Sequence, residues 1–168
     1  MKKIGIFYGS TTGVTEAISE KMADRLNIAA SDVHNVADTA VNAIENYDVL
    51  LLGSSTWGVG ELQDDWHSFL DKLKKENLTG KSVALFGCGD SVSFGGSFCD
   101  AIGIIYHELE GSGCKFIGAI GSEGYSFDAS EAYVDGKFVG LPIDESNEPD
   151  DTDQRIDSWL DSMKMELE

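Results

Sequence analysis

The sequence is short of cations, proline and cysteine, and each shortage excludes something. Only 12 Lys and Arg stand against 30 Asp and Glu, a formal net charge of −18. A surface so negative repels nucleic acid and anionic lipid, so neither is an expected partner, and the same repulsion favours a monomer. The three cysteines (Cys88, Cys99 and Cys114) are an odd number with no CxxC spacing and no Cys/His cluster. A disulfide framework and a zinc site are therefore not expected. The two prolines, Pro142 and Pro149, both fall late in the chain and outside any expected element. No apolar run approaches the ~18 residues of a membrane span. The opening Met1-Lys2-Lys3 and Ile4–Tyr8 carry too short an apolar stretch for a signal peptide and run straight into Gly9-Ser10-Thr11-Thr12. They read as the leading strand of a cytoplasmic protein.

What remains is an ordinary globular balance, 42% hydrophobic and 25% charged over 168 residues, expected to form a single domain over 1–168. Short apolar runs bounded by turn residues recur at Ile4–Tyr8, Tyr47–Leu52, Ser82–Phe86 and Lys115–Ile120, with a weaker run at Asp32–Val36. Runs apolar on both faces suit strands inside a parallel sheet. Helical stripes separate them at Val14–Leu26, Leu62–Leu73, Phe98–Leu109 and Gln154–Met165. This alternation predicts a doubly wound α/β fold. Gly121–Gly140 breaks it. The stretch is expected to be an insertion near 121–137 that interrupts the fifth strand, which resumes near Phe138.

Three unusual loops follow strands. Gly9-Ser10-Thr11-Thr12-Gly13-Val14-Thr15 lacks both a Walker lysine and GxGxxG spacing, yet offers hydroxyls and helix-start amides to an anion, so a monophosphate is the expected ligand. Gly53-Ser54-Ser55-Thr56-Trp57-Gly58-Val59-Gly60 and Gly87-Cys88-Gly89-Asp90-Ser91-Val92-Ser93-Phe94 each set an aromatic residue among glycines. Ligands of open α/β sheets lie beyond the carboxyl ends of the strands. A flat heteroaromatic ring between Trp57 and Phe94, with its phosphate on the first loop, accounts for all three loops together.

The chain resembles the flavodoxin family, long-chain bacterial type, over its whole length. Ser10-Thr11-Thr12-Gly13-Val14-Thr15 resembles TxTGxT; Ser55-Thr56-Trp57 with Gly60-Glu61-Leu62-Gln63-Asp64-Asp65-Trp66 resembles STW…GELQxDW. Gly87-Cys88-Gly89-Asp90 with Phe98-Cys99-Asp100-Ala101 resembles GxGDQxGY…FxDA, and the interrupted fifth strand is the long-chain mark. The resemblance implies a flavodoxin-like three-layer α/β/α sandwich with a five-stranded parallel sheet of order 2-1-3-4-5. It implies non-covalently bound FMN and a low-potential electron carrier with no substrate turnover of its own. It places the phosphate on Ser10, Thr11, Thr12, Gly13 and Thr15 and the ring between Trp57 and Phe94. Ser54, Ser55, Thr56, Gly58, Gly60, Cys88, Gly89 and Asp90 line the rest, with Cys99 as a small filler alongside Cys88. Implied partners are flavodoxin/ferredoxin–NADP reductase, pyruvate oxidoreductase or nitrogenase, docking through basic surfaces. The chain departs from the family pattern at Phe94 (usually Tyr), Ser91 (usually Gln), Ser93 (usually Gly) and Ser146 (where Asp is common). Ser146 is not counted in the site.

Other functions of this sheet topology fit less well. A quinone or NAD(P)H reductase needs basic residues for a nucleotide phosphate, and no Lys or Arg lies between Arg25 and Lys72 or between Lys81 and Lys115. A receiver-type signalling domain needs an acidic pocket after the first strand, where Gly9-Ser10-Thr11 stands. His34, His67 and His107, like Trp66 and Trp159, read as packing or solvated residues. The tail from Leu141 holds ten acids against Arg155 and Lys164, a negative face suited to basic partners.

Overall fold

The computed structural model describes all 168 residues. Strands β1 (Ile4–Gly9), β2 (Val33–Asn35), β3 (Val49–Trp57), β4 (Glu61–Leu62) and β5 (Ser82–Cys88) are joined by helices α1 (Val14–Leu26) and α2 (Asp64–Leu73). Then come α3 (Asp100–Leu109), β6 (Lys115–Ile117), the short β7 (Tyr133–Val134) and β8 (Lys137–Phe138), β9 (Leu141–Ile143), α4 (Thr152–Ser162) and α5 (Lys164–Leu167). The main sheet runs β2-β1-β3-β5-β6, with β9 also pairing with β5. β6 pairs with the start of β5 (Ser82↔Lys115) and β9 with its end (Phe86↔Leu141), both parallel. Together they form one fifth strand in two pieces, giving the expected five-strand order.

Side-chain alternation along the strands builds two cores. Leu50 and Leu52 join Phe7, Val83 and Leu85 beneath α2 and α3, while Val49 and Leu51 join Ile6, Ala84 and Phe86 beneath α1 and α4. Leu50, Leu51 and Leu52 are fully buried, each contributing on the order of 2 kcal/mol. α1 ends at Asn27, in the left-handed conformation (φ 54°), while the Ile28 amide turns back to Ala23 O at 2.8 Å. Both features close a helix end. On the outer side, Arg25 pairs with Asp153 and Asp157, tying α1 to α4.

Both ends of the insertion need correction: the first piece of the fifth strand stops at Ile117, short of the expected Ile120, which instead bridges Phe138 in antiparallel fashion. Phe138 does not resume the fifth strand: it lies in β8, paired with Tyr133 in a small antiparallel hairpin, and the strand resumes at Leu141. Phe138 is buried by aromatics instead, with ring centres 5.0 Å from Phe127, 5.2 Å from Tyr125 and 6.3 Å from Phe98. The insertion therefore carries its own aromatic cluster and packs it on Phe98. It also hydrogen-bonds the chain ahead of α3, through Asp128 and Ala129 amides to Gly95 O and the Phe98 amide to Ala129 O.

Candidate functional site

Four chain segments leave the carboxyl ends of β1, β3, β5 and β9 on one rim. After β1, Gly13 takes φ +92° as the N-cap of α1, a conformation that costs other residues a Cβ clash. No side chain caps the helix. Its first-turn amides have no intrahelical partner by geometry and point out of the helix start, with its positive dipole end behind them. Ser10 Oγ accepts the Gly13 N–H at 3.0 Å, folding the loop over this end. Thr11 accepts from Gln63 Nε2 at 3.1 Å. Thr15 contributes its amide to the helix start, but its hydroxyl is buried 3.7 Å from Cys88 Sγ.

β3 does not stop at Gly53. Strand pairing continues through Ser54 and Ser55 to Gly87 and Cys88 on one side, and Gly9 pairs with Ser54 on the other. The chain then turns through Gly58 (φ +53°) and Gly60 (φ +86°) and returns as β4, with Trp57 opposite Glu61. Trp57 is 39% exposed, and its Nε1 donates to Ser55 Oγ at 2.9 Å. After β5, Gly89 and Asp90 lead to Phe94, which is 47% exposed. Trp57 and Phe94 are two of the three exposed Phe, Tyr or Trp rings of the chain, with Tyr133, and both stand on this rim.

These segments enclose an open cavity of about 340 Å³ lined by Thr12, Val14, Ser55, Thr56, Trp57, Gly58, Cys88, Gly89, Asp90, Phe94, Ser97, Glu145 and Ser146. Its wall has no Lys, Arg or His and carries two carboxylates, Asp90 and Glu145. The backbone N–H of Ser93 and the side chain of Asn147 hold the Asp90 carboxyl below its ordinary range. Burial pushes the Cys88 thiol up to about 12 and the Cys99 thiol well above its usual value, so neither is a thiolate.

Several residues expected at the site stand behind its wall. Ser54 is buried; its Oγ donates to Ser55 O and accepts the Gln63 amide. Gly60 faces Asp100. Cys99 is fully buried with Sγ near Gly87 O and Ile143 O, so it backs Gly89 and does not line the cavity as Cys88 does. Glu145 and Ser146 line the cavity, although the sequence reading did not count the first and set the second aside; Gln63, also uncounted, stands behind it. The first two follow β9, and a two-piece fifth strand ends its second piece on the same rim, the signal that could have found them. Gln63, buried between Thr11, Ser54 and α2, gives no such signal.

The comparisons agree with this geometry. Residues 6–159 match the flavodoxin family profile. Flavodoxin 1 of Azotobacter vinelandii is 43% identical over 99% of this chain and 98% of that protein, and a flavodoxin of Nostoc is 41% identical over 99% and 98%. The structure of Fusobacterium nucleatum flavodoxin bound to flavin mononucleotide superposes with a TM-score of 0.91 at 36% identity, covering all of both chains. The fold, the rim of loops and these relatives together show that the chain belongs to the flavodoxin family.

Proposed function

We propose that the chain is an electron carrier that holds FMN non-covalently in the rim cavity and has no substrate turnover of its own. One observation carries the reading: an uncapped, hydroxyl-rich helix start beside a cavity whose wall includes two half-exposed aromatic rings. The residues fit the group. Ser10, Thr11, Thr12, Gly13 and the Thr15 amide offer neutral donors to the phosphate, and Trp57 and Phe94 offer faces to the ring. Ser55, Thr56, Gly58, Cys88, Gly89, Asp90, Glu145 and Ser146 line its edges, with Ser54, Gly60 and Cys99 holding those walls from behind. FMN supplies one-electron redox chemistry. The chain surrounds it with neutral donors and carboxylates, which disfavours added negative charge and so sets a low potential.

Around the cavity, Val59 (85% exposed) and Val92 (77%) extend the apolar surface of Trp57 and Phe94. The flanking charge is acidic, from Glu61, Asp64, Asp65, Asp90 and Glu145. An apolar centre with a negative surround suits brief encounters with redox enzymes that carry basic docking surfaces, such as an NADP reductase, a pyruvate oxidoreductase or nitrogenase. The test is anaerobic stepwise reduction of the purified protein, followed by its visible spectrum. Two separate one-electron steps, with no consumption of NADPH by the isolated protein, are expected. A colourless protein that takes up no FMN, or NADPH turnover without a partner, would overturn the reading.

A further inference from the structure

Asp144, the first residue after β9, is fully buried, and no ion pair involves it. A buried carboxylate survives only where donors replace water. Here every donor comes from two loops. Ser91 donates to Asp144 Oδ2 through its amide (3.2 Å) and its hydroxyl. Asn147 donates through its amide to Oδ1 (3.1 Å) and through Nδ2 to both oxygens (3.0 and 3.1 Å). The same Nδ2 reaches Asp90 Oδ1 at 2.8 Å, where the amides of Val92 and Ser93 also bond. Asp90 in turn accepts the Phe94 amide on its carbonyl at 2.9 Å.

Building on the FMN reading, we propose that Asp144, Asn147 and Ser91 are positioning residues that hold the Phe94 loop on its binding path before the ring arrives. The loop between β5 and α3 has no strand or long helix to hold it: it consists of turns and one 3-10 segment, Gly95–Ser97. Its ends are held by the Gly89 amide on Ile143 O at 3.0 Å and by the insertion's bonds at Gly95 and Phe98, and between them this knot is what fixes its path. The knot reaches the cavity wall at Asp90 through Asn147, and at Glu145 and Ser146, which follow Asp144 directly. It does not touch the phosphate end, which Gln63 and Ser10 organise. The Ser91 hydroxyl is this chain's own contribution, since it stands where the resembling pattern carries Gln. A pre-set loop strengthens binding by removing an ordering cost that would otherwise be met on association.

The prediction is an effect on the ring end alone. Apo-protein carrying Asn147→Ala or Ser91→Ala, both charge-neutral changes, is titrated with FMN, with riboflavin and with inorganic phosphate. Both flavins should weaken by the same factor, about tenfold for Asn147→Ala and about threefold for Ser91→Ala, from the loss of several modest hydrogen bonds. Phosphate binding should stay at the wild-type value, and Ser91→Thr, which keeps the hydroxyl, should restore riboflavin binding. Wild-type riboflavin affinity in both alanine variants would overturn the proposal, as would weakened FMN with unchanged riboflavin. If Asn147→Ala does not fold, Ser91→Ala against Ser91→Thr decides the matter alone. Wild-type apo-protein that binds neither flavin would overturn the FMN reading and this one with it. Wild-type binding with indifferent variants overturns only the positioning role.

Discussion

Thr56 Oγ1 accepts the backbone N–H of Ala101 at 3.0 Å, so the strand that carries Trp57 caps the helix that follows the Phe94 loop. α3 has no local cap: Cys99 sits at its N-cap in the left-handed conformation and offers no side-chain hydrogen bond. One hydroxyl thus joins the two walls of the cavity. Thr56→Val keeps the volume but leaves the amide of fully buried Ala101 unpaired. The expected loss is about 1–2 kcal/mol in urea unfolding of the apo-protein, with Thr56→Ser close to wild type.

Gly58 and Gly60 share one turn, but they should respond differently to alanine. Both have positive φ, which costs an L-residue roughly 1–2 kcal/mol. At Gly58 the added Cβ would have only Glu61 carboxyl atoms nearby, at 3.8 Å and beyond. At Gly60 it would meet Asp100 Oδ2 at 2.5 Å. Asp100 is held in place by the Glu131 amide at 2.8 Å and cannot swing clear without giving up that bond. Gly60→Ala should therefore be the more damaging substitution by about 1 kcal/mol or more in denaturant unfolding. Equal losses would mean that Asp100 yields freely.

The sequence made the central elements plain because they obey local rules. The apolar stripe of Val14–Leu26 coincides with α1, and runs such as Val49–Leu52 pack both faces. What it hid depends on distant partners. Ser54 and Ser55 have loop composition but are strand, because β5 pairs with both and β1 with Ser54, while Thr56 extends the strand by pairing with β4. Leu62 has a helical spacing with Trp66, yet it pairs with Thr56 in β4, and α2 starts only at Asp64, beyond the Gln63 cap. Phe138 and Leu141 belong to one apolar run, and only three-dimensional packing assigns the first to an aromatic cluster and the second to the sheet. The Asp144 network was invisible for the same reason, since Ser91 and Asp90 lie more than fifty positions upstream.

His34 should make stability depend on pH near neutrality. Its ring stacks on Phe7 at 4.8 Å, and Nε2 lies 2.6 Å from Tyr47 Oη, whose hydroxyl donates to Asp32 Oδ1 at 2.9 Å. Nε2 therefore carries hydrogen and donates to the phenol oxygen. Burial lowers the His34 pKa below its ordinary 6.5; Asp32 opposes this and Lys3 adds to it. A lowered pKa means that the unfolded chain binds the proton more readily, so this contribution is present above about pH 6.5 and fades as pH falls. Unfolding midpoints measured at pH 7.5 and 5.5 should drop for wild type. In His34→Gln, which can still donate to Tyr47, the drop should be smaller. An identical drop would assign the effect to other groups.

Charge on the cavity wall should move the midpoint potentials in proportion to proximity. Glu145 lines the cavity, whereas Asp161 lines a groove with Met1 and Ile4 at the other end of the sheet. β1 spans six residues between those ends, roughly 20 Å at about 3.3 Å per residue, which is about two Debye lengths at moderate salt. One charge at ~10 Å and an effective dielectric of ~20 is worth on the order of 1–2 kcal/mol before screening. Because Glu145 is partly exposed, a smaller share survives. Glu145→Gln should raise the more negative midpoint potential by roughly 20–60 mV at moderate salt, at about 60 mV per 1.4 kcal/mol for one electron. Asp161→Asn removes the same charge and should shift it by only a few millivolts. If the two variants shift it equally, net charge rather than placement governs the couple, and the carboxylates on the wall have no special part in it. A shift at Glu145 that shrinks as salt is added would tie the low potential to these particular positions.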